Sequence, residues 1–167
     1  SGKITDSKTG NPLKAKIELI DLSSRALISE VFSDSLNGNY LMVLTKGASY
    51  GLFVSSPGYL YKSLNFNLTE GKPDPVKIDI SLQPVQTGSA VVLKNIFFDY
   101  DRYTLRPESF PELDETFKFL KENPRLHIEI GGHTDNTGQD EKNKQLSLNR
   151  AKAVADNLIQ KGIAPVS

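Results

Sequence analysis

The apolar positions change period part-way along the chain, and with them the kind of element they predict. In the first half they alternate with polar ones: Ile17 and Leu19 are interleaved with Lys16, Glu18 and Ile20, and Ile78, Ile80 and Leu82 with Lys77, Asp79 and Ser81. A period of two belongs to a strand with one buried face. Turn-forming clusters at 6–12, Asn37-Gly38-Asn39, Pro57-Gly58 and 70–75 separate such runs, and further strands are expected at 26–33, 39–45, 50–56 and 60–67. Short strands at close spacing with no helical period predict an all-β antiparallel sandwich over residues 1–84.

Residues 83–90, Gln-Pro-Val-Gln-Thr-Gly-Ser-Ala, read as an interdomain connection, with the linker at 85–90 and a second domain at 91–167. Val91 to Phe98 is a nearly continuous apolar run, expected as a strand buried on both faces. From Arg106 to Asn123 the spacing becomes helical: Phe110, Leu113, Phe117 and Leu120 recur at i, i+3, i+7 and i+10, which leaves Glu108, Glu112, Glu115, Lys118 and Lys121 to face water. Pro107 suits a first turn, while Pro111 deletes an early hydrogen bond and predicts an irregular start. Asn123-Pro124 ends the helix. Leu126, Ile128 and Ile130 then alternate with Arg125, His127 and Glu129, predicting a strand at 125–131. A glycine-rich polar loop and a helix from about 140 to 161, capped by Gly162, complete a strand-helix-strand-helix α/β domain.

That polar loop and helix hold the candidate chemistry. The loop presents one acid, Asp135, and the helix one base, Arg150. On a helix turning about 100° per residue, Asn143, Ser147 and Arg150 share a stripe beside an apolar one of Ala151, Ala155 and Leu158. The residues alone allow two readings: an acid and a base facing a ligand, or a loop cap at Asp135 with Arg150 as its structural partner or as a solvated helix residue.

Charge and composition narrow the partners. Lys plus Arg and Asp plus Glu are both 20, so nothing proposes nucleic acid or an anionic membrane surface. With no cysteine, disulfides and thiolate chemistry are excluded. No apolar run approaches a spanning helix and the first residues carry no signal peptide, so an export signal or lipid anchor is expected outside this stretch.

Gly132, His133, Thr134, Asp135 and Gly138, then Asn143, Leu146 and Ser147, then Arg150 and Ala151, closely resemble the peptidoglycan-binding domain of the OmpA-like family. The resemblance runs from Ile96-Phe97-Phe98-Asp99 to Gly162-Ile163, about residues 90 to 167. It implies noncovalent binding of the peptidoglycan stem peptide through meso-diaminopimelate, with Arg150 on its carboxylate, Asp135 on its ammonium, and Asn143, Thr137 and Asp101 adding contacts. It also implies a periplasmic, outer-membrane-associated place in a Gram-negative bacterium. In that family the fold continues past Ser167 with a further strand and arginine motif, so the domain is expected to lack its last strands here. Gly2-Lys3-Ile4-Thr5-Asp6, Thr9-Gly10-Asn11-Pro12-Leu13, the stretch from Asp34 to Tyr40 and Pro57-Gly58-Tyr59 resemble a carboxypeptidase regulatory-like domain, a prealbumin-like sandwich expected to meet protein partners. Peptidase activity does not transfer, since the chain has only His127 and His133 and the zinc site needs more.

Other chemistry finds little support in the sequence. His127, Glu129 and His133 along one strand are too extended to converge on one metal, and no cofactor is called for. Asp99 and Asp101, on opposite faces of a strand end, do not flank one glycosidic bond, and Ser147 has no histidine to activate it. Asn67-Leu68-Thr69 and Asp34-Ser35-Leu36 match short glycosylation triplets but read more simply as turn and edge residues. The expected function is non-enzymatic wall anchoring of an outer-membrane or secretion-associated assembly. A cell-wall hydrolase and a protein-docking scaffold without wall binding are the alternatives.

Overall fold

Alternation in the first half becomes two hydrogen-bonded sheets in the computed structural model, which describes residues 1–45, 47–68, 77–132 and 140–165. The strands are β1 (Gly2–Asp6), β2 (Lys16–Asp21), β3 (Leu27–Phe32), β4 (Asn39–Tyr40), β5 (Ser49–Ser55), β6 (Lys62–Asn67) and β7 (Ile80–Leu82). One sheet runs β4-β1-β7 and the other β3-β2-β5-β6. The register Ile17↔Val54 and Leu19↔Leu52↔Leu64 puts these side chains on one face. They share a single core with Ile4, Tyr40, Ile80 and Leu82 of the other sheet.

Three expectations for this half change. β1 was not among the predicted strands, because it brings only Ile4 as an apolar inward residue between Gly2 and Asp6. Its partner β7 lies parallel to it, so the pairing is not antiparallel throughout. Parallel neighbours need a long crossover, and here the intervening chain contains all the other strands of the unit. The strand expected at 39–45 stops at Tyr40, since β1 offers partners only at Gly2 and Lys3. Met42 and Leu44 still pack on the core while Leu41 and Val43 are exposed, so the alternation persists without a ladder. The Asp34-Ser35-Leu36 triplet forms a turn in which the Asp34 carboxylate accepts the Leu36 and Asn37 N–H groups at 2.8 and 3.0 Å.

Asp6 organises the first turn. Its carboxylate accepts the Tyr59 hydroxyl at 2.7 Å and the Lys8 and Thr9 N–H groups at 2.7 and 2.9 Å. These bonds, the Tyr59 hydroxyl foremost, favour the charged form and hold its pKa below the usual carboxylate value. A carboxylate whose folded pKa is depressed contributes stability above its unfolded pKa of about 3.9, and that contribution is lost as pH falls through the folded value. Thermal melts from pH 7 to pH 2 should therefore show a steeper acid loss for the native chain than for Asp6→Asn. Parallel acid limbs for the two would count against this network.

The chain divides into two compact units, Ser1–Asn95 and Ile96–Ser167. Residues expected in and just after the linker are tied to the first unit. Val85 N–H donates to Gly58 O at 3.0 Å and Lys94 N–H to Ser63 Oγ at 3.2 Å. The wholly buried Asn95 side chain accepts from Asn65 Nδ2 at 2.9 Å.

In the second unit the described elements are a 3-10 turn at Pro107–Ser109, helix α1 (Phe110–Glu122) and helix α2 (Asp140–Gln160). The irregular start follows from both prolines: Pro107 opens the 3-10 turn, and Pro111 sits in the first turn of α1, where a missing N–H costs nothing. Leu113 and Leu120 are buried as expected. Glu112, expected to face water, is fully buried, because it shares the face of Leu113, Thr116 and Leu120. Helix α2 buries Val154 and Leu158 and closes on Gly162, whose φ of 112° only glycine adopts readily. Ile163 N–H reaches Leu158 O and Gly162 N–H reaches Ile159 O at 3.1 and 2.9 Å, satisfying two terminal carbonyls.

The strands expected at 91–98 and 125–131 form no ladder among the described residues, beyond an isolated bridge between Phe98 and Leu105. Alternation supplies a face, but a strand also needs a hydrogen-bonded neighbour in register, and beside 91–98 the described chain offers only the short return at 105–106. Ile128 accordingly remains 43% exposed. Sheets followed by two helices remain consistent with a β-rich first part and an α/β second part. No described helix is long and apolar enough to cross a membrane.

Candidate functional site

A hairpin-like return of the chain builds the first wall of the site. Arg106 N–H donates to Phe97 O at 3.0 Å, and Ser109 Oγ both accepts Phe97 N–H at 2.8 Å and donates to Phe97 O at 3.1 Å. The return closes at its tip with Arg102 N–H on Asp99 O at 3.1 Å. Asp101 takes a left-handed φ of 55°, a conformation that aspartate tolerates better than most side chains. Helix α2 supplies the second wall, with Asn143, Ser147 and Arg150 on one stripe.

Arg150 joins the two walls. Its Nε donates to Arg102 O at 3.0 Å and an Nη to Asp99 O at a longer 3.4 Å, while the guanidinium carbon lies 4.9 Å from the centre of the Phe98 ring. Stacking on an aromatic face and donation to two carbonyls fix the plane of the group. A guanidinium carries five N–H bonds. Among the described residues the bonds to Arg102 O and Asp99 O use two of them.

Asp101 is held by Lys142, whose Nζ lies 2.7 Å from Oδ2, and the hydrogen bond and charge of Asp101 raise the lysine's pKa above its ordinary value. Sequence reasoning missed Lys142, since nothing in a separation of 41 residues announces the pair. Asp99 turns instead toward Arg106, at 3.9 Å from Nε, so the two neighbouring acids answer to different cations. Ser147 Oγ donates to Gly132 O, fastening the entry of the polar loop to α2. Asp135 and Thr137, together with His133, lie outside the described residues. The structure therefore brings Arg150 to the backbone of the 99–102 turn and Lys142 to Asp101, while Asn143 lies two turns from Arg150 along α2.

The matching family model is that of the OmpA family, over residues 97–167. This stretch is an OmpA family domain. It includes the 99–102 turn, α1, the polar loop and α2. Outer membrane porin F of Pseudomonas fluorescens is 34% identical over 71 residues, which cover 42% of this chain and 22% of that protein. Outer membrane protein A of Shigella flexneri is 32% identical over 108 residues, covering 64% of this chain and 31% of that protein. Outer membrane protein A of Shimwellia blattae is 31% identical over 103 residues, covering 60% and 43% respectively. The chain thus spans less than half the length of these curated relatives.

Proposed function

We propose that the chain binds peptidoglycan noncovalently and anchors an outer-membrane or secretion-associated assembly to the cell wall from the periplasm. The ligand group is the meso-diaminopimelate of the stem peptide. Arg150 takes its carboxylate and Asp135 its ammonium, with Asn143, Thr137 and Asp101 contributing hydrogen bonds. The observation that carries this reading is the posture of Arg150, stacked on Phe98 and held by two carbonyls, which fixes the plane of its guanidinium. The OmpA family match over the same residues supports it. Arginine suits the task because two parallel N–H bonds grip a carboxylate in one orientation. A zwitterion is then selected over a simple amine or acid, either of which leaves one site charge unmatched.

The first unit, in this reading, is a two-sheet sandwich of the carboxypeptidase regulatory-like kind that docks proteins and does not touch the wall. A single core fed by both sheets supports it. Each half folds alone, and a fragment ending at Asn95 retains the Asn65, Leu64 and Ser63 contacts that one ending at residue 84 discards. No turnover of the wall is expected: Asp99 and Asp101 turn to separate cations, which disfavours the paired-acid geometry of a hydrolase.

Calorimetry with soluble stem peptides tests the ligand chemistry. Peptides containing meso-diaminopimelate bind, and peptides with lysine in its place bind at least about tenfold more weakly, because a charge-assisted contact worth about 1.5–3 kcal/mol is lost with the second carboxylate. Equal affinities would remove Arg150 from the carboxylate, and release of soluble fragments from purified wall would move the chain to the hydrolase class.

A further inference from the structure

Arg150 holds the carbonyl of Arg102, and the next residue, Tyr103, lies beside the turns of α2 that follow. With Asn149, Lys152, Ala153 and Asp156 it lines an open groove of about 280 Å³ within the second unit. Asn149, Ala153 and Asp156 recur at i, i+4 and i+7, so they form a stripe of their own, about 90–100° around the helix from Arg150. The groove therefore adjoins the Arg150 site without sharing a side chain with it.

The lining mixes three kinds of group. Tyr103 brings an aromatic ring and is 56% exposed, a large flat surface left in water. Gln145 Nε2 donates to Asn149 Oδ1 at 3.1 Å, which turns the NH2 end of that amide away from Gln145. Lys152 and Asp156 are both exposed and one helical turn apart, so a donor cation and an acceptor anion offset each other and the groove carries no net charge. A simple ion gains little from such a lining. A neutral ring with C–H groups on its faces and hydroxyls around its edge uses all of it, the faces against Tyr103 and the edge toward Asn149, Lys152 and Asp156. The volume lies just under the roughly 300–1,000 Å³ of pockets that hold drug-sized molecules, which suits a single ring.

We propose that this groove is a sugar subsite, taking one N-acetylhexosamine ring of the glycan while Arg150 holds the stem peptide attached to it. The inference rests on the wall-binding reading and extends it from the peptide to the saccharide. The reach agrees. At 1.5 Å per residue Asp156 lies about 9 Å beyond Arg150 along the helix axis, and an extended chain covers about 3.3–3.6 Å per residue. The few units of stem between diaminopimelate and the sugar therefore span from one site to the other. A free amino acid would match Lys152 and Asp156 but leave the Tyr103 ring in water.

Calorimetry of the 167-residue chain with two soluble ligands, a stem peptide and the same peptide carrying its disaccharide, tests this. The disaccharide peptide should bind about two- to tenfold more tightly, the range expected when one aromatic face is covered. Tyr103→Ala should lose that increment while binding the bare peptide as the parent does, and its melting transition checks the fold. Tyr103→Phe, which keeps the ring, should retain most of the increment, and its loss there would overturn stacking as the contact. Millimolar N-acetylglucosamine should compete the increment away and millimolar alanine should not; the reverse would assign the groove to an amino acid and overturn the sugar. Equal affinities of the parent for the two ligands, or an increment that survives in Tyr103→Ala, would overturn the subsite and leave the Arg150 site standing. Failure of the parent to bind either ligand would overturn the wall-binding reading and the subsite with it.

Discussion

Arg150→Ala should no longer pellet with insoluble peptidoglycan, and Asp135→Ala should fail in the same way. In the proposed reading, each removes one member of a charge pair matched to a zwitterion. Truncating one partner of a desolvated, hydrogen-bonded charge contact costs about 2–5 kcal/mol, a loss of about thirtyfold to several thousandfold in affinity. Arg150→Ala also releases the carbonyls of Arg102 and Asp99, so the fold of the variant is checked by its melting transition. Arg150→Lys is the sharper variant. It retains the positive charge but neither the planar fork nor the stack on Phe98, and should lose most of the binding if geometry, more than charge, selects the ligand. Full pelleting by Arg150→Lys would reduce the site to a point charge, and full pelleting by both alanine variants would place the site elsewhere.

How much of this could be read from the sequence depends on whether the signal is local. The β2, β5 and β6 runs carry their own alternation, and their ladders lie close to the expected ranges. The irregular start of α1 and the end of α2 at Gly162 are written in single residues, because proline and glycine act on their own backbone. What depends on a distant partner was not legible. β1 is a strand because β4 and β7 flank it, and its own side chains hardly say so. The apolar run at 91–98 and the alternation at 125–131 predicted strands, yet among the described residues neither forms a ladder, and only Phe98 makes an isolated bridge. Glu112 is buried through the rotation of α1, which the positions of Phe110 and Phe117 misjudge by part of a turn. In the site, the helical stripe of Asn143, Ser147 and Arg150 was plain from spacing alone. That Arg150 would lean on the backbone of the 99–102 turn, and Lys142 on Asp101, needed the tertiary structure.

Gly132→Ala should weaken the second unit and leave the first untouched. A Cβ built at Gly132 would run into the backbone carbonyl oxygen of Ser147 and lie 3.0 Å from its Oγ, so the segment entering the polar loop approaches α2 more closely than any side chain permits. The neighbour is helix backbone and cannot rotate aside, and overpacking of this kind costs about 1–3 kcal/mol. For a unit of this size that corresponds to a fall in Tm of about 4–20 °C. The same contact is closed by the hydroxyl of Ser147 donating to Gly132 O. Ser147→Ala removes only that bond and should cost about 1 kcal/mol, while Gly132→Val, with two further methyl groups against the helix, should exceed both. The ranking valine, then alanine at 132, then alanine at 147 distinguishes steric exclusion from simple loss of a hydrogen bond. Because Gly132 immediately precedes the loop bearing Asp135, wall binding should decline in the same order, measured by cosedimentation below each variant's transition. A Gly132→Ala protein that melts and pellets like the parent would show that the loop entry can leave α2 at no cost, and would remove the Gly132–Ser147 contact from the proposed wall-binding site.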